Sequence, residues 1–329
     1  MPPSPLRGRR VLVTGGAGFI GSHLVRRLLR DGAEVWVMTS SVSSVPPVRL
    51  TDVLDDVRIV EANLTDRSAL DHTARTVRPE FIAHLGAYTH VGKSFVRVDE
   101  NVASNVAGTV NLLQALHGDY ERFVNTGTSE IYGDVDVPFV EDGPVNPVSP
   151  YSVSKYAAER FARMLHAAHE WPIVCLRPFN AYGPWQTADR VIPEIIVRGL
   201  KRRPLEMTEG VQTREFNFAA DLADGFAAAL VCKEAEGQVI NLGCGQEVSM
   251  REIAVRILAL MGDPIEAKFG ALANRPTEIW RMYCDNSRAR EILGWSPAHT
   301  LDEGLRETID WYSARFTEGH PFLAGTALR

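Results

Sequence analysis

The segment TGTSEIYG, residues 126–133, places hydroxyls at Thr128 and Ser129, a carboxylate at Glu130 and a phenol at Tyr132 in close succession. A strand end that only had to turn has no need of an acid beside two hydroxyls. Glu130 is therefore either surface decoration or a group that moves a proton. Further on, SPYSVSKYAAER holds Tyr151 and Lys155 four residues apart, a spacing that stacks two side chains on one helix face. An ammonium placed there favours the phenolate and brings a phenol of ordinary pKa ~10 toward use as a general base. The pair is weak on its own and gains meaning from its surroundings.

The first of those surroundings is VLVTGGAGFIGSHLVRRLL, in which Gly15, Gly18 and Gly21, with Phe19 and Ile20 among them, follow a β-rich run and open a helical pattern. Gly15 permits the tight turn, Gly18 lets backbone approach a pyrophosphate, and Gly21 lets helix pack on strand. The helix amino terminus then faces negative charge, which is the arrangement of a dinucleotide site. A carboxylate about 20 residues later normally holds the adenosine ribose. Here EVWVMTSSVSS offers Thr39, Ser40 and Ser41 instead. Hydroxyls can bond a ribose or a 2′-phosphate, so NAD is expected and NADP stays open.

These residues need an alternating scaffold to hold them, and the chain supplies one. RVLVT, EVWVM, VRIVE, FIAHL, RFVNT and IVCLRP read as short buried strands, separated by amphipathic stretches. In NVASNVAGTVNLLQAL, Val102, Val106, Val110 and Leu113 recur at helical spacing and predict one apolar face. The pattern predicts an α/β fold: a Rossmann-type, doubly wound parallel sheet with a smaller carboxyl-terminal substrate lobe. Residues 1–178 are read as the dinucleotide-binding domain, with about 218–243 returning to its sheet. Residues 179–329 are read as mostly the second lobe.

Composition narrows the function classes. The 329 residues suffice for about two domains. A formal charge of −6, with acids and bases mixed along the chain, argues against nucleic acid or an anionic membrane as main partner. Cys175, Cys232, Cys244 and Cys284 lie far apart in no metal-like spacing, so no metal site is expected and reduced thiols are. The basic amino terminus imitates a signal peptide, yet glycines follow after few apolar residues, and no run approaches the ~20 that span a bilayer. A cytoplasmic protein is expected.

The fragments TGGAGFIG, HLGAYTHV, NVAGTVNLL, TSEIYG, SPYSVSK, RPFNAYGP, TREFNF and LGWSP, in this order over residues 10 to about 312, resemble the extended short-chain dehydrogenase/reductase family, the NAD-dependent nucleotide-sugar epimerases and dehydratases. The resemblance implies a nucleotide-diphosphate sugar as substrate, a tightly held nicotinamide cofactor, and homodimerisation through helices near 100–117 and 151–169. It places Asn63, Leu64, Leu85 and Ala87 at the cofactor. It makes Tyr151 the base for the sugar 4-hydroxyl, and Thr128 the hydroxyl that shares that proton. Lys155 would bond the nicotinamide ribose and lower the pKa of Tyr151. Ser129, Asn180, Arg214 and Arg275 would meet the substrate, and His90 is as well read as a structural histidine. Thr39, Gly86 and Trp185 depart from the family pattern, where aspartate, alanine and arginine are common.

Glu130 then points to a reaction. A 4-epimerase oxidises C4 and returns hydride to the other face without an extra acid or base. A 4,6-dehydratase also needs a base for the C5 proton and an acid for the C6 hydroxyl, and its hydroxyl-X-Glu segment resembles Thr128-Ser129-Glu130. Many dehydratases have aspartate where Ser129 stands. The leading expectation is a 4,6-dehydratase, with a 4-epimerase and then a sugar-acid decarboxylase as alternatives. A non-enzymatic nucleotide-binding regulatory protein is the reading from another class.

Overall fold

The computed structural model describes residues 4–40, 48–274 and 278–324. Strands β1 (Arg10–Thr14), β2 (Glu34–Thr39), β3 (Arg58–Glu61), β4 (Phe81–His84), β5 (Arg122–Thr126) and β6 (Ile173–Pro178) join the strand Val239–Leu242 in one sheet. All pairings are parallel and the order is β3-β2-β1-β4-β5-β6 with Val239–Leu242 at the far edge. The order reverses between β1 and β4. That switch point opens a crevice at the strands' carboxyl ends, where ligands bind in sheets of this kind.

Val11 and Val13 face one side of β1 and Leu12 the other, and all three are fully buried, so both faces must be covered. Helix α1 (Phe19–Arg30) and the helix Ala219–Val231 close one face, burying Leu24, Val25, Leu28, Leu222 and Phe226. Each such side chain contributes about 1.5–3 kcal/mol by leaving water. Helix α2 (Arg67–Val77), the helix Gly108–Leu116 and the long helix Pro150–His169 cover the other face. A second core gathers Ile192, Ile195 and Ile196 with Ile253, Ile257, Leu305 and Tyr312, and forms the smaller lobe.

Two expectations need correction, the continuity of one helix and the face it buries. The stretch read as one helix from 101 to 116 is a short helix Val98–Asn101, a widened π-helical segment Val102–Ala107 and a regular helix Gly108–Leu116. Its buried residues include Asn101, Asn105, Thr109, Leu112 and Leu113, while Val102 is 52% exposed and Val106 and Val110 are half-buried. The polar Asn105 goes inside because its side chain is fully used. It accepts from Tyr88 N (2.7 Å) and donates to Ser154 Oγ (2.9 Å) and Tyr88 O (3.1 Å). Hydrogen bonding overrides the apolar period here.

Candidate active site

A cleft of about 940 Å³ runs from the β1–α1 turn to the second lobe. Gly15, Gly18, Phe19, Ile20, Gly21, Leu85, Ala87, Thr128, Ser129, Glu130, Tyr151, Lys155, Asn180 and Arg214 all line it. The turn fits a dinucleotide. Gly15 has φ +68°, and a Cβ there would lie 2.7 Å from Gly86 N; a Cβ on Gly21 would lie 2.2 Å from Gly15 O. Helix α1 starts at Gly18 with no side-chain cap, so its first N–H groups face the cleft without a partner of that kind. The loop after β4 is tied to this turn, because Gly86 N donates to Thr14 Oγ1 (3.0 Å), which also bonds His84 Nδ1 (2.7 Å). Burial brings His84 down to about 3, so it bridges Thr14 and Thr109 as a neutral ring.

Thr39 ends β2 half-buried and Ser40 is exposed; neither lines the cleft, nor do Asn63 and Leu64. Asn63 Oδ1 accepts from Thr65 N and Oγ1, both at 3.0 Å, and the Leu64 side chain is buried in the core. Ser41 and Arg275 lie outside the described residues.

Tyr151 is positioned by a helix start. Ser149 caps the helix through a reciprocal pair with Ser152, Pro150 follows at the first position, and Tyr151 sits in the opening turn. Opposite, Thr128 caps a short 3-10 turn, accepting from Glu130 N at 3.3 Å. The Tyr151 phenol and the Thr128 hydroxyl share the cleft, and Thr128 favours the phenolate. Burial pushes the phenol up to about 12. Thr128 opposes that rise, the Glu130 charge adds to it, and the Arg190 charge opposes it. Burial also brings Lys155 down to about 8, with Cys175 and Glu159 acting the other way. The expected lowering of Tyr151 by Lys155 is thus not what this geometry provides. Lys155 is buried, with Cys175 and Glu159 favouring its charged form, and Arg190 makes a small contribution in favour of the phenolate.

Ser129 is not placed to act as an acid. At 2% exposure, it directs its hydroxyl at Met282 Sδ (3.8 Å). Asn180 Nδ2 approaches the same sulfur at 3.7 Å. Arg214 faces the cleft with its guanidinium engaged, to Glu278 Oε1 (2.7 Å), Thr213 O (2.7 Å) and Ile279 O (2.6 Å). His90 caps the short helix Val91–Ser94, accepting from Lys93 N at 3.1 Å, which is the structural reading. Further along the helix that carries Tyr151, Glu159 is gripped by Arg177 with two bonds of 2.6 and 2.9 Å, and Arg177 also donates to Tyr132 OH (2.7 Å). Burial alone would lower Arg177, but Glu159 more than offsets it and raises it.

Sequence reading missed Arg49, Thr89, Gln186, Asp189 and Arg190, which also line the cleft. No spacing or residue cluster marks them, since the folding of the second lobe against α1 brings them together.

The family profile for GDP-mannose 4,6 dehydratase matches residues 12–308. The chain belongs to this family. A dTDP-glucose 4,6-dehydratase of Neisseria meningitidis is 31% identical, over 92% of this chain and 93% of its own length. Among solved structures, DesIV, a dTDP-glucose 4,6-dehydratase of Streptomyces venezuelae with NAD and TDP bound, superposes with a TM-score of 0.85. It shares 30% identity over 95% of this chain and 99% of that one. A UDP-glucose 4-epimerase of Thermotoga maritima, with UDP-glucose, has a TM-score of 0.87 at 26% identity, covering 93% of this chain and 99% of that one. These relatives therefore span both reaction types.

Proposed function

We propose that the protein is a nucleotide-sugar 4,6-dehydratase that acts through transient oxidation at sugar C4 with NAD. The observation that carries this reading is that Thr128, Glu130 and Tyr151 line one cleft with the glycine turn, the phenol lying under the influence of both the Thr128 hydroxyl and the Glu130 charge. NAD bound at the glycine turn supplies the hydride acceptor and donor. Tyr151 removes the 4-hydroxyl proton, with Thr128 and Arg190 favouring the phenolate. The resulting 4-keto group acidifies C5–H, so that a carboxylate is basic enough to remove that proton. Glu130 takes this part and passes that proton to the departing C6 hydroxyl, so that water leaves; the hydride taken from C4 would return to C6 and a proton to C5. Arg214 and Arg275 hold the diphosphate in this reading, with guanidinium geometry suited to it.

NADP is the alternative cofactor, because hydroxyls rather than an acid stand at Thr39 and Ser40. Cofactor released by denaturation and identified decides between the two. The protein acts as a homodimer in this reading: Phe95, Val98, Val102, Val153, Phe161 and Met164 leave apolar surface on the helices near 91–102 and 150–169. Among the described residues no helix is long and apolar enough to cross a membrane.

The Ser129 hydroxyl, aimed at Met282, favours a second reading, C4 epimerisation, because Ser129 offers no acid beside Glu130. Glu130→Gln separates the two. In a dehydratase it stalls elimination, accumulates reduced cofactor and abolishes exchange of the C5 proton with deuterated water. Turnover of a sugar-nucleotide panel with unchanged product mass and no C5 exchange in wild-type protein would refute the dehydratase.

A further inference from the structure

Arg49 stands in a one-turn 3-10 helix, Val48–Leu50, and lines the cleft together with Gly15, Gly18 and Phe19. Three parts of the fold converge to hold it. Its Nε donates to Trp185 O at 2.8 Å, and its guanidinium lies 5.3 Å above the Phe322 ring. Its carbonyl accepts from Arg26 Nη2 at 2.7 Å, which ties the turn to α1. Trp185 is itself fixed at an unusual φ of +70°, with its ring 4.8 Å from Trp311 and 5.6 Å from Phe322. A carbonyl presented by a strained residue packed against two aromatic rings is a rigid acceptor.

This arrangement occupies Nε and one face of the guanidinium and leaves both Nη groups without a protein acceptor among the described residues. No carboxylate pairs with it there, whereas Arg26 pairs with Asp52 and Arg214 with Glu278. Burial lowers its pKa, with only the more distant Tyr312 and Asp189 opposing. A half-buried cation without a counter-ion is costly unless an anion arrives. A pre-aimed pair of Nη groups matches two oxygens of one phosphate.

We propose that Arg49 is a phosphate-binding residue of the dinucleotide site, completing from the side of the second lobe the cradle that the glycine turn provides from below. The proposal rests on the dinucleotide-dependent function above. The phosphate has two possible sources: the diphosphate bridge common to NAD and NADP, or the 2′-phosphate of NADP alone.

The test titrates NADH and NADPH, by their fluorescence, into cofactor-stripped wild-type, Arg49→Gln and Arg49→Lys proteins, with UDP and dTDP as separate ligands and urea midpoints as a check on folding. The expected result is an affinity loss of about tenfold or more for Arg49→Gln, partly restored in Arg49→Lys, with the midpoint held. Loss for both dinucleotides assigns the diphosphate bridge, and loss for NADPH alone assigns the 2′-phosphate. Unchanged dinucleotide affinity, or a loss confined to UDP and dTDP, overturns the proposal. Wild-type protein that binds neither dinucleotide overturns the dinucleotide-dependent function, and this inference with it.

Discussion

The two ends of the cleft are built from different materials. At the β1–α1 turn the surface is backbone, and what shapes it is the lack of side chains at Gly15, Gly18 and Gly21. At the other end the surface is side chain against side chain: Tyr151 beside Thr128, Ser129 on Met282, Arg214 on Glu278. A backbone surface is set by local sequence and tolerates little change. A side-chain surface is set by neighbours far along the chain, so one substitution there can redirect the chemistry while the fold persists.

Tyr151→Phe breaks the side-chain end alone. Turnover should fall by roughly 10²–10⁴-fold, the usual weight of a positioned proton-transfer group. Cofactor content per chain should stay at the wild-type level. A variant that retains most of its rate would remove Tyr151 from the role of base.

Glu278→Gln sharpens the contrast from the other side. It takes the counter-charge from Arg214 while keeping a similar shape, and exchange of a partly exposed ion pair is worth up to about 1 kcal/mol. Sugar-nucleotide KM should drop by a few-fold with dinucleotide affinity unchanged. An unchanged or raised KM would mean that Glu278 orients Arg214 rather than competing with the diphosphate.

An effect on stability rather than on activity concerns Lys155, which also lines the cleft. Its folded value of about 8 lies below its ordinary 10.5. From about pH 8 upward the unfolded chain therefore holds the proton more firmly, and this group's contribution to stability rises with pH until both states are neutral. Urea unfolding of cofactor-stripped wild type and Lys155→Met, at pH 7.5 and 9.5, should show the wild type gaining relative to the variant. Parallel behaviour of the two proteins would mean that Lys155 is not desolvated.

What the sequence made legible follows the same division. The order of strands and helices and the glycine turn could be read directly, because periodicity and backbone geometry are local properties. Tyr151, Lys155 and Thr128 could be placed through resemblance, and the fold does bring them to one cleft. Val102 and Val106 were misplaced because Asn105 makes three hydrogen bonds inside, and no local pattern records partners at Tyr88 and Ser154. Arg49 and Arg190 were invisible for a related reason. Their places depend on how residues 184–190 and the chain's last helices pack on α1, contacts that span more than a hundred residues.

The Arg177–Glu159 pair also constrains how this sequence can drift. Both side chains are essentially inaccessible, at 2% and 0% exposure, and each satisfies the other with two bonds. Losing either one strands a buried charge at a cost of about 3–5 kcal/mol, a large part of the ~5–15 kcal/mol that holds a typical domain folded. Exchange of both for apolar residues of matching volume avoids that cost. The helix carrying Tyr151 and the strand beside it are thus locked as inherited partners. Descendants of this chain should keep both charges or neither, and an intermediate with one of them should be selected against before any effect on catalysis is felt.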